Sequence, residues 1–276
     1  MMLLKTGKIM KRSIITAILT SLSFAGYTHA GEITLTSGQT KVGQLVPRGD
    51  GSITANTDDG TFTYKVSQYT RAVGDRPAEF DAARSSLNKS DWAGLKSNAD
   101  AAMRSGAFLE WDAHAASVLA EGYIRQKKGV EANQTIKTIV DRYLKVMKTE
   151  TEVWDRFPKL ESISWRAQTL QGSKHDELED VLSKVIADAK NRERAAFAQM
   201  VRGDLRLEQK RAKEAVLDYL RTVYFFAEME DVHPEAIYKA GKAFEAMQNT
   251  KRAAEFFNRL TSEYPESSYA AEVAGK

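Results

Sequence analysis

Hydrophobic and polar residues alternate with a period near two in the first part of the chain after residue 30. The alternation is clear in four short segments, at 33–36, 41–46, 52–55 and 61–66. Glycine, aspartate, serine and proline separate these segments, and such residues favour tight turns. The pattern therefore predicts four strands of a small antiparallel sheet.

The pattern changes at Arg76 and Pro77. From there the chain is rich in Ala, Leu, Glu, Lys and Arg, which are good helix formers, and the strand pattern disappears. After Pro77, proline occurs only at Pro158, Pro234 and Pro265, each at a place where a helix can begin or end. The sequence predicts a mainly α chain, with a β module at 31–75 followed by a helical domain at 76–276.

The best-defined repeat opens at Pro234. Five residues fall at relative positions 8, 11, 20, 24 and 32 of a 34-residue unit. They are Gly241, Phe244, Ala253, Phe257 and Pro265. This spacing resembles the tetratricopeptide repeat, in which two helices pack around small and aromatic residues.

Two earlier segments repeat parts of this pattern. One lies 38 residues before the last copy and the other lies 121 residues before it. The matching residues are Gly203, Ala215 and Tyr219 in the nearer copy, and Ala120, Tyr123, Ala132, Ile139 and Tyr143 in the farther one. Two degenerate helix pairs are predicted at 80–87 with 92–103 and at 163–170 with 178–186, which gives five pairs of a helical solenoid.

The end of the last copy, Tyr264-Pro265-Glu266-Ser267, resembles repeats of bacterial envelope proteins such as the Tol–Pal coordinator and the lipoprotein of the Bam complex. The chain has neither the coiled-coil head of the former nor the lipidated cysteine of the latter, so their specific roles are not implied. The β module resembles small Sm-like or SH3-like barrels. Because about forty residues bury little core alone, we expect the module to pack against the helices, for example as a stabilising cap.

The first thirty residues have the layout of a secretory signal peptide. Lys5, Lys8, Lys11 and Arg12 precede an apolar stretch, and Thr28-His29-Ala30 is a small-residue cleavage site. We predict cleavage after Ala30 and a periplasmic or secreted protein without stable membrane insertion. The alternative is an uncleaved anchor, although the dense apolar part at 14–24 is short for a bilayer of about 30 Å.

Charge and composition exclude several functions. Removing the four basic residues of the signal leaves 36 Lys and Arg against 37 Asp and Glu, so a nucleic-acid partner is not expected. There is no cysteine, and His114, His175 and His233 lack the spacing of paired helical ligands, so no metal is expected. No nucleophile or phosphate-loop motif is present, so we expect neither catalytic residues nor a cofactor, and no enzyme.

In a tetratricopeptide array the first helix of each unit lines a concave groove. If this chain follows the same arrangement, seven residues are predicted to line the groove and to bind a partner. They are His114, Glu121, Arg125, Met200, Asp204, Tyr238 and Lys242. Their mixed charge indicates an extended peptide or a helix of moderate polarity, not a single carboxylate clamp.

We therefore predict an exported adaptor or scaffold that holds a partner protein in this groove within the cell envelope. The alternative is a structural or surface component that assembles through the edge of its β module. The chain after Ser267 is too short for a full extra capping helix, so weak self-association through the last repeat is also expected.

Overall fold

The computed structural model describes residues 29–172, 175–188 and 190–274. Nearly all of the predicted signal peptide therefore lies outside the described residues. The structure begins with a five-stranded antiparallel sheet and continues into helices. This order confirms a mainly α fold that follows a small β module.

The β module contains one strand more than the four predicted. Its strands are β1 (His29–Leu35), β2 (Thr40–Pro47), β3 (Ile53–Thr57), β4 (Gly60–Tyr64) and β5 (Tyr69–Gly74). They are arranged in the order β4-β3-β2-β1-β5. A 3₁₀ helix at Val66–Gln68 leads into β5 without a Gly or Pro turn, which is why the sequence pattern missed this strand.

Strand β1 begins before the predicted cleavage point. His29 is 8% exposed, and its Nε2 lies 2.8 Å from the carbonyl oxygen of Ser105 on the helical side. Ala30 pairs with Gln44 across the sheet, and its carbonyl accepts a hydrogen bond from the backbone of Asp75 at 2.7 Å. The predicted boundary at Ala30 thus falls inside a paired strand.

The β module packs against the loop between the second and third helices. Phe108 and Leu109 of that loop share one hydrophobic cluster with Ile33 and other core residues of the sheet. The indole Nε1 of Trp111 donates a hydrogen bond to the carbonyl of Gly74, the last residue of β5, at 2.7 Å. The module is therefore docked on the helical part, as its small core requires.

Twelve helices follow in the part of the chain that the structure describes. They are α1 (Ala78–Asn88), α2 (Trp92–Ser105), α3 (Trp111–Arg125), α4 (Gly129–Tyr143), α5 (Glu150–Arg156), α6 (Pro158–Leu170), α7 (His175–Asp188), α8 (Arg192–Glu208), α9 (Ala212–Phe225), α10 (His233–Ala246), α11 (Thr250–Glu263) and α12 (Ser268–Ala274). The four predicted pairs α1–α2, α3–α4, α8–α9 and α10–α11 pack closely, and α2 with α3, α7 with α8 and α9 with α10 pack just as closely.

The fifth predicted pair, 163–170 with 178–186, is corrected by the structure. Helix α6 packs mainly against α3, α4 and α8, whereas α7 packs on α8. Leu178 and Leu182 of α7 join a cluster with residues of α8, and Trp165 is the α6 side chain in that cluster. An apolar face facing a later helix has the same periodicity as one facing the preceding helix, so the pattern could not separate the two arrangements.

Glycines mark the close crossings in the two last pairs. A Cβ atom on Gly203 would lie 2.5 Å from the ring of Tyr219, and one on Gly241 would lie 2.4 Å from the ring of Phe257. Real Cβ atoms do not approach that closely, so each aromatic ring occupies the space that a side chain would take. The residues chosen from the repeat pattern are thus in contact, as predicted.

Candidate functional site: the inner groove

Six helices of the array surround a groove made of three adjoining cavities. We call the whole the inner groove. The aromatic cavity, of about 240 Å³, contains Phe80, His114 and Phe157. The central cavity, of about 300 Å³, shares Lys159 and Asp231 with it. The terminal cavity measures about 330 Å³.

The walls come from a consistent set of elements. Side chains of α1, α3, α6, α8, α10 and α12 line the three cavities, together with the end of α5 and two loops at 230–231 and 266–267. Tyr269 of α12 lines both the central and the terminal cavity. The C-terminal end of the array therefore faces the N-terminal helices across the groove.

Arg166 on α6 connects three other helices at the floor of the groove. Its guanidinium lies 2.6 Å from Glu235 of α10, 3.5 Å from Glu121 of α3 and 3.6 Å from Asp204 of α8. The side chain of Arg166 is only 13% exposed. One buried cation thus holds carboxylates that are far apart in the sequence, and it fixes how closely their helices approach.

A second cation reinforces the same cluster. Lys239, one turn after Glu235, lies 2.6 Å from Asp204 and 2.8 Å from Glu235. The hydroxyl of Tyr219 donates to the other oxygen of Asp204 at 2.8 Å. These contacts pair Asp204 and Glu235 with cations, so the floor of the groove is a connected ion network in which the buried Nε of Arg166 makes no hydrogen bond to any described residue.

The ionisation of this network follows from its charges. Burial alone would raise the pKa of Glu235, but the charges of Arg166 and Lys239 outweigh it and lower the pKa to about 2. Burial likewise opposes the charge on Arg166, and the carboxylates of Glu235, Asp204 and Glu121 raise its pKa nonetheless. Both groups are therefore charged at neutral pH.

The aromatic cavity has a different character. The imidazole of His114 lies among three aromatic rings, with ring centroids at 5.3 Å from Trp111, 6.2 Å from Phe157 and 6.5 Å from Phe80. Burial against these rings lowers the pKa of His114 despite the nearby carboxylate of Glu110. The aromatic cavity, with its neutral imidazole, is therefore suited to bind a ligand side chain that is mainly apolar and has one hydrogen-bonding group.

The comparison with protein families concerns the last helix pair. Residues 235–267 match a tetratricopeptide repeat. The matched segment contains almost all of α10 and α11, so the match supports a tetratricopeptide-repeat protein, a family that typically binds other proteins and is typically non-catalytic. A search of curated proteins found no match. The finer likeness to the Tol–Pal coordinator and to the Bam-complex lipoprotein stays a prediction.

The structure places four of the seven predicted partner-binding residues on the walls of the groove. His114 lines the aromatic cavity. Glu121 and Arg125 line the central and terminal cavities, and Asp204 lines the terminal one. These four are in position to contact a bound segment.

The structure places the other three predicted residues away from the three cavities. Met200 has 0% exposure and belongs to the hydrophobic core, so a partner cannot reach it in this conformation. Tyr238 is half-buried, with ring centroids 6.3 Å from Phe257 and 5.4 Å from Tyr269, and Lys242 is ion-paired with Glu245. Neither Tyr238 nor Lys242 lines any of the three cavities.

The sequence reasoning missed Arg166, Glu235, Lys239 and Tyr269. Glu235 lies on the first helix of the last repeat, the helix expected to line the groove, and Lys239 follows it by one helical turn. The repeat pattern could therefore have identified both. Arg166 and Tyr269 lie outside the aligned copies, so no such signal pointed to them.

Two further observations concern metal ligands and membrane spans among the described residues. Within 29–172, 175–188 and 190–274, no group of three or more His, Asp or Glu side chains is arranged to hold a metal ion. Over the same residues, none of the helices is both long and apolar enough to cross a membrane.

Proposed function

We propose that this protein is an exported adaptor or scaffold whose inner groove holds an extended segment of a partner protein. The observation that carries the proposal is the continuity of the groove, whose three cavities share wall residues along the first helices of the array. Tetratricopeptide repeats generally mediate contacts between proteins, and the match of residues 235–267 supports this role. The proposal includes no catalytic step.

The charge of the groove favours a segment over a single terminal carboxylate. Arg166 and Lys239 are already paired with carboxylates of the protein, and Arg125 lies 3.4 Å from Glu121. Binding a partner carboxylate to these cations would require breaking those ion pairs. An extended chain that contacts the walls along several cavities needs no such rearrangement.

The proposed export requires a leader that is removed before the folded part begins. Cleavage after Ala30 would remove His29 and its buried contact with Ser105, so we propose a cut before His29. Ser23-Phe24-Ala25 also has small residues at both recognition positions. The mass of the intact exported protein tests this: a chain that starts at Gly26 is expected, and a chain that starts at Gly31 contradicts the proposed site.

The groove itself can be tested by site-specific photocrosslinking in the native envelope. A photoreactive residue is placed at Asn88, an exposed position on the wall of the central cavity. The matched control position is Glu131, which is exposed on α4 and lines none of the three cavities. Ser268→Trp, at an exposed position on α12 that also lines the central cavity, serves to block the groove.

We expect a discrete crosslinked protein from Asn88, none from Glu131, and loss of the Asn88 product when Ser268→Trp is present. A product of equal yield from Glu131, or one that Ser268→Trp leaves unchanged, would show that the partner does not occupy the groove.

A second candidate function rests on strand β4. Four of its five residues are exposed, Phe62 is 41% exposed, and the strand forms one edge of the sheet. An open edge can pair with a strand of another protein. The same crosslinker at Phe62 separates the two candidates, because a product from Phe62 with none from Asn88 favours the sheet edge.

Weak self-association through the last repeat stays a proposal. Helix α12 packs against α10 and α11, and Ala270, which is 3% exposed, joins their hydrophobic cluster. The helix has only seven residues, so it covers part of the terminal face. Light scattering over a range of concentrations tests for a dimer.

A further inference from the structure

The inner groove has an excess of negative charge. Six basic and nine acidic side chains line its three cavities. His114 adds no positive charge near neutral pH, because burial lowers its pKa. A cleft lined by one sign of charge concentrates ligands of the opposite sign.

The ion pairs of the structure leave most of this negative charge uncompensated. Within the described residues, six of the nine carboxylates have no cation within 4.0 Å, while only two cations of the groove, Arg84 and Lys159, lack an acidic partner. The six unpaired carboxylates are Glu193, Glu208, Glu230, Asp231, Glu266 and Glu272.

These carboxylates are distributed along the whole groove. Glu193 and Asp231 line the aromatic cavity, Glu230 and Glu266 the central cavity, and Glu208 the terminal cavity. A single local cluster would bind one cation at one place. The observed distribution instead matches a chain with positive charges at several points along its length.

Glu193 and Asp231 show that the negative charges also crowd one another. Burial raises the pKa of Glu193, and the negative charge of Asp231 raises it further, while Lys159 compensates only in part. Neither carboxylate has a cation of the protein within 4.0 Å in the described structure. A positive group from outside would relieve this repulsion.

We propose that the inner groove selects an extended partner segment rich in lysine and arginine. This inference rests on the proposed function and adds the chemistry of the partner segment. The basic side chains of the segment face the unpaired carboxylates, and apolar side chains between them enter the aromatic cavity beside Phe80 and Phe157. An acidic segment meets six unpaired negative charges in the same space.

The test uses two labelled peptides of equal length and the purified exported protein. One peptide repeats Lys-Leu-Ser and the other repeats Glu-Leu-Ser, so they differ only in the sign of their charge. Fluorescence anisotropy at low ionic strength should show the lysine peptide binding at least about tenfold more tightly than the glutamate peptide. Its affinity should fall as salt is added, because exposed charges are screened.

Two matched double variants locate the effect. Glu230→Gln with Asp231→Asn removes two charges from the groove and should weaken the lysine peptide about fivefold. Glu131→Gln with Glu150→Gln removes two exposed charges that line none of the three cavities and should change its affinity less than about twofold. The variants differ only in where the charge is removed.

The failures of the two proposals are distinguishable. If the glutamate peptide binds as well as the lysine peptide, and Ser268→Trp blocks both, the groove binds segments but the basic preference is wrong. Equal weakening by the two double variants would also overturn the preference. If Ser268→Trp leaves the binding of every peptide unchanged, or if no peptide binds, both the preference and the peptide-holding groove fail.

Discussion

Helix pair α10–α11 and helix α6 are held in the array by different forces. In α10–α11, Gly241 lies against the ring of Phe257, and Ala253 and Leu260 are buried at the crossing, so the contact is apolar and steric. Helix α6 instead carries Arg166 into a buried network of carboxylates from α3, α8 and α10. The first contact joins neighbours in the sequence and the second joins distant helices.

This difference determines what each region contributes. An apolar crossing sets the geometry of one pair and tolerates little change in volume. A shared cation at the floor of the groove sets the distance between several first helices at once, and therefore the shape of the space that a partner enters. The C-terminal pair is a unit of the array, whereas α6 joins α3, α8 and α10 through one side chain.

Replacing Arg166 tests how much the buried ion network contributes to stability, and it is expected to have the largest effect. Arg166→Met leaves Glu121, Asp204 and Glu235 close together without their shared cation. Removing one partner of a buried ion network should lower the free energy of unfolding by about 3–5 kcal/mol. Urea unfolding at neutral pH measures the change. Arg104→Met, at an exposed position on α2, is the matched control and should cost less than about 0.5 kcal/mol.

The pH dependence of the unfolding free energy of Arg166→Met, compared with the wild-type protein, tests whether lost charge causes the destabilisation. The pKa of Glu235 is lowered to about 2, so its contribution to stability is present above its ordinary pKa and is lost as the pH falls toward 2. In Arg166→Met, protonation of the crowded carboxylates instead relieves repulsion. The difference between the variant and the wild-type protein should therefore shrink on acidification to about pH 3. A difference that stays constant with pH would mean that lost packing, not charge, causes the effect.

The two glycine crossings test the steric side of the comparison. In Gly203→Ala the new methyl group meets Tyr219, which is 0% exposed and hydrogen-bonded to Asp204. In Gly241→Ala it meets Phe257, which is only half-buried. We expect a loss of about 2 kcal/mol for Gly203→Ala and about 1 kcal/mol for Gly241→Ala, after the gain in helix propensity that alanine brings.

Thermal or urea unfolding measures the stability lost in each variant. Each variant serves as the control for the other because both replace glycine with alanine. Equal losses, or a larger loss at Gly241, would show that the freedom of the facing ring does not decide the cost.

The sequence predicted the steric contacts well and the ionic ones poorly. Gly203 with Tyr219 and Gly241 with Phe257 are separated by one repeat helix and turn, so their spacing is visible along the chain. The β module and its docking were also predicted, except that β5 follows a 3₁₀ helix without a turn signal. Local periodicity therefore accounts for most of the fold.

The groove could be predicted only in part. Arg166 and Glu235 are 69 residues apart, and nothing in the local pattern of either helix specifies their contact. Charged residues on a helix also look alike in sequence whether they face solvent or a buried network. The contact of Tyr238 with α12 was missed for a related reason, because α12 follows the repeat and covers a face that the repeat pattern alone leaves open.

Tyr238 provides the smallest expected effect and tests whether α12 completes the C-terminal pair. Its ring contacts Phe257 of α11 and Tyr269 of α12, and burial, together with a hydrogen bond to Glu272, raises the pKa of its hydroxyl. Tyr238→Ala removes the ring from a half-buried site, so we expect a loss of about 1.5 kcal/mol in unfolding free energy. Tyr238→Phe keeps the ring and removes only the hydroxyl, so it should cost about 0.5 kcal/mol. A loss below about 0.5 kcal/mol for Tyr238→Ala would show that the ring is exposed and that α12 does not pack over the last pair.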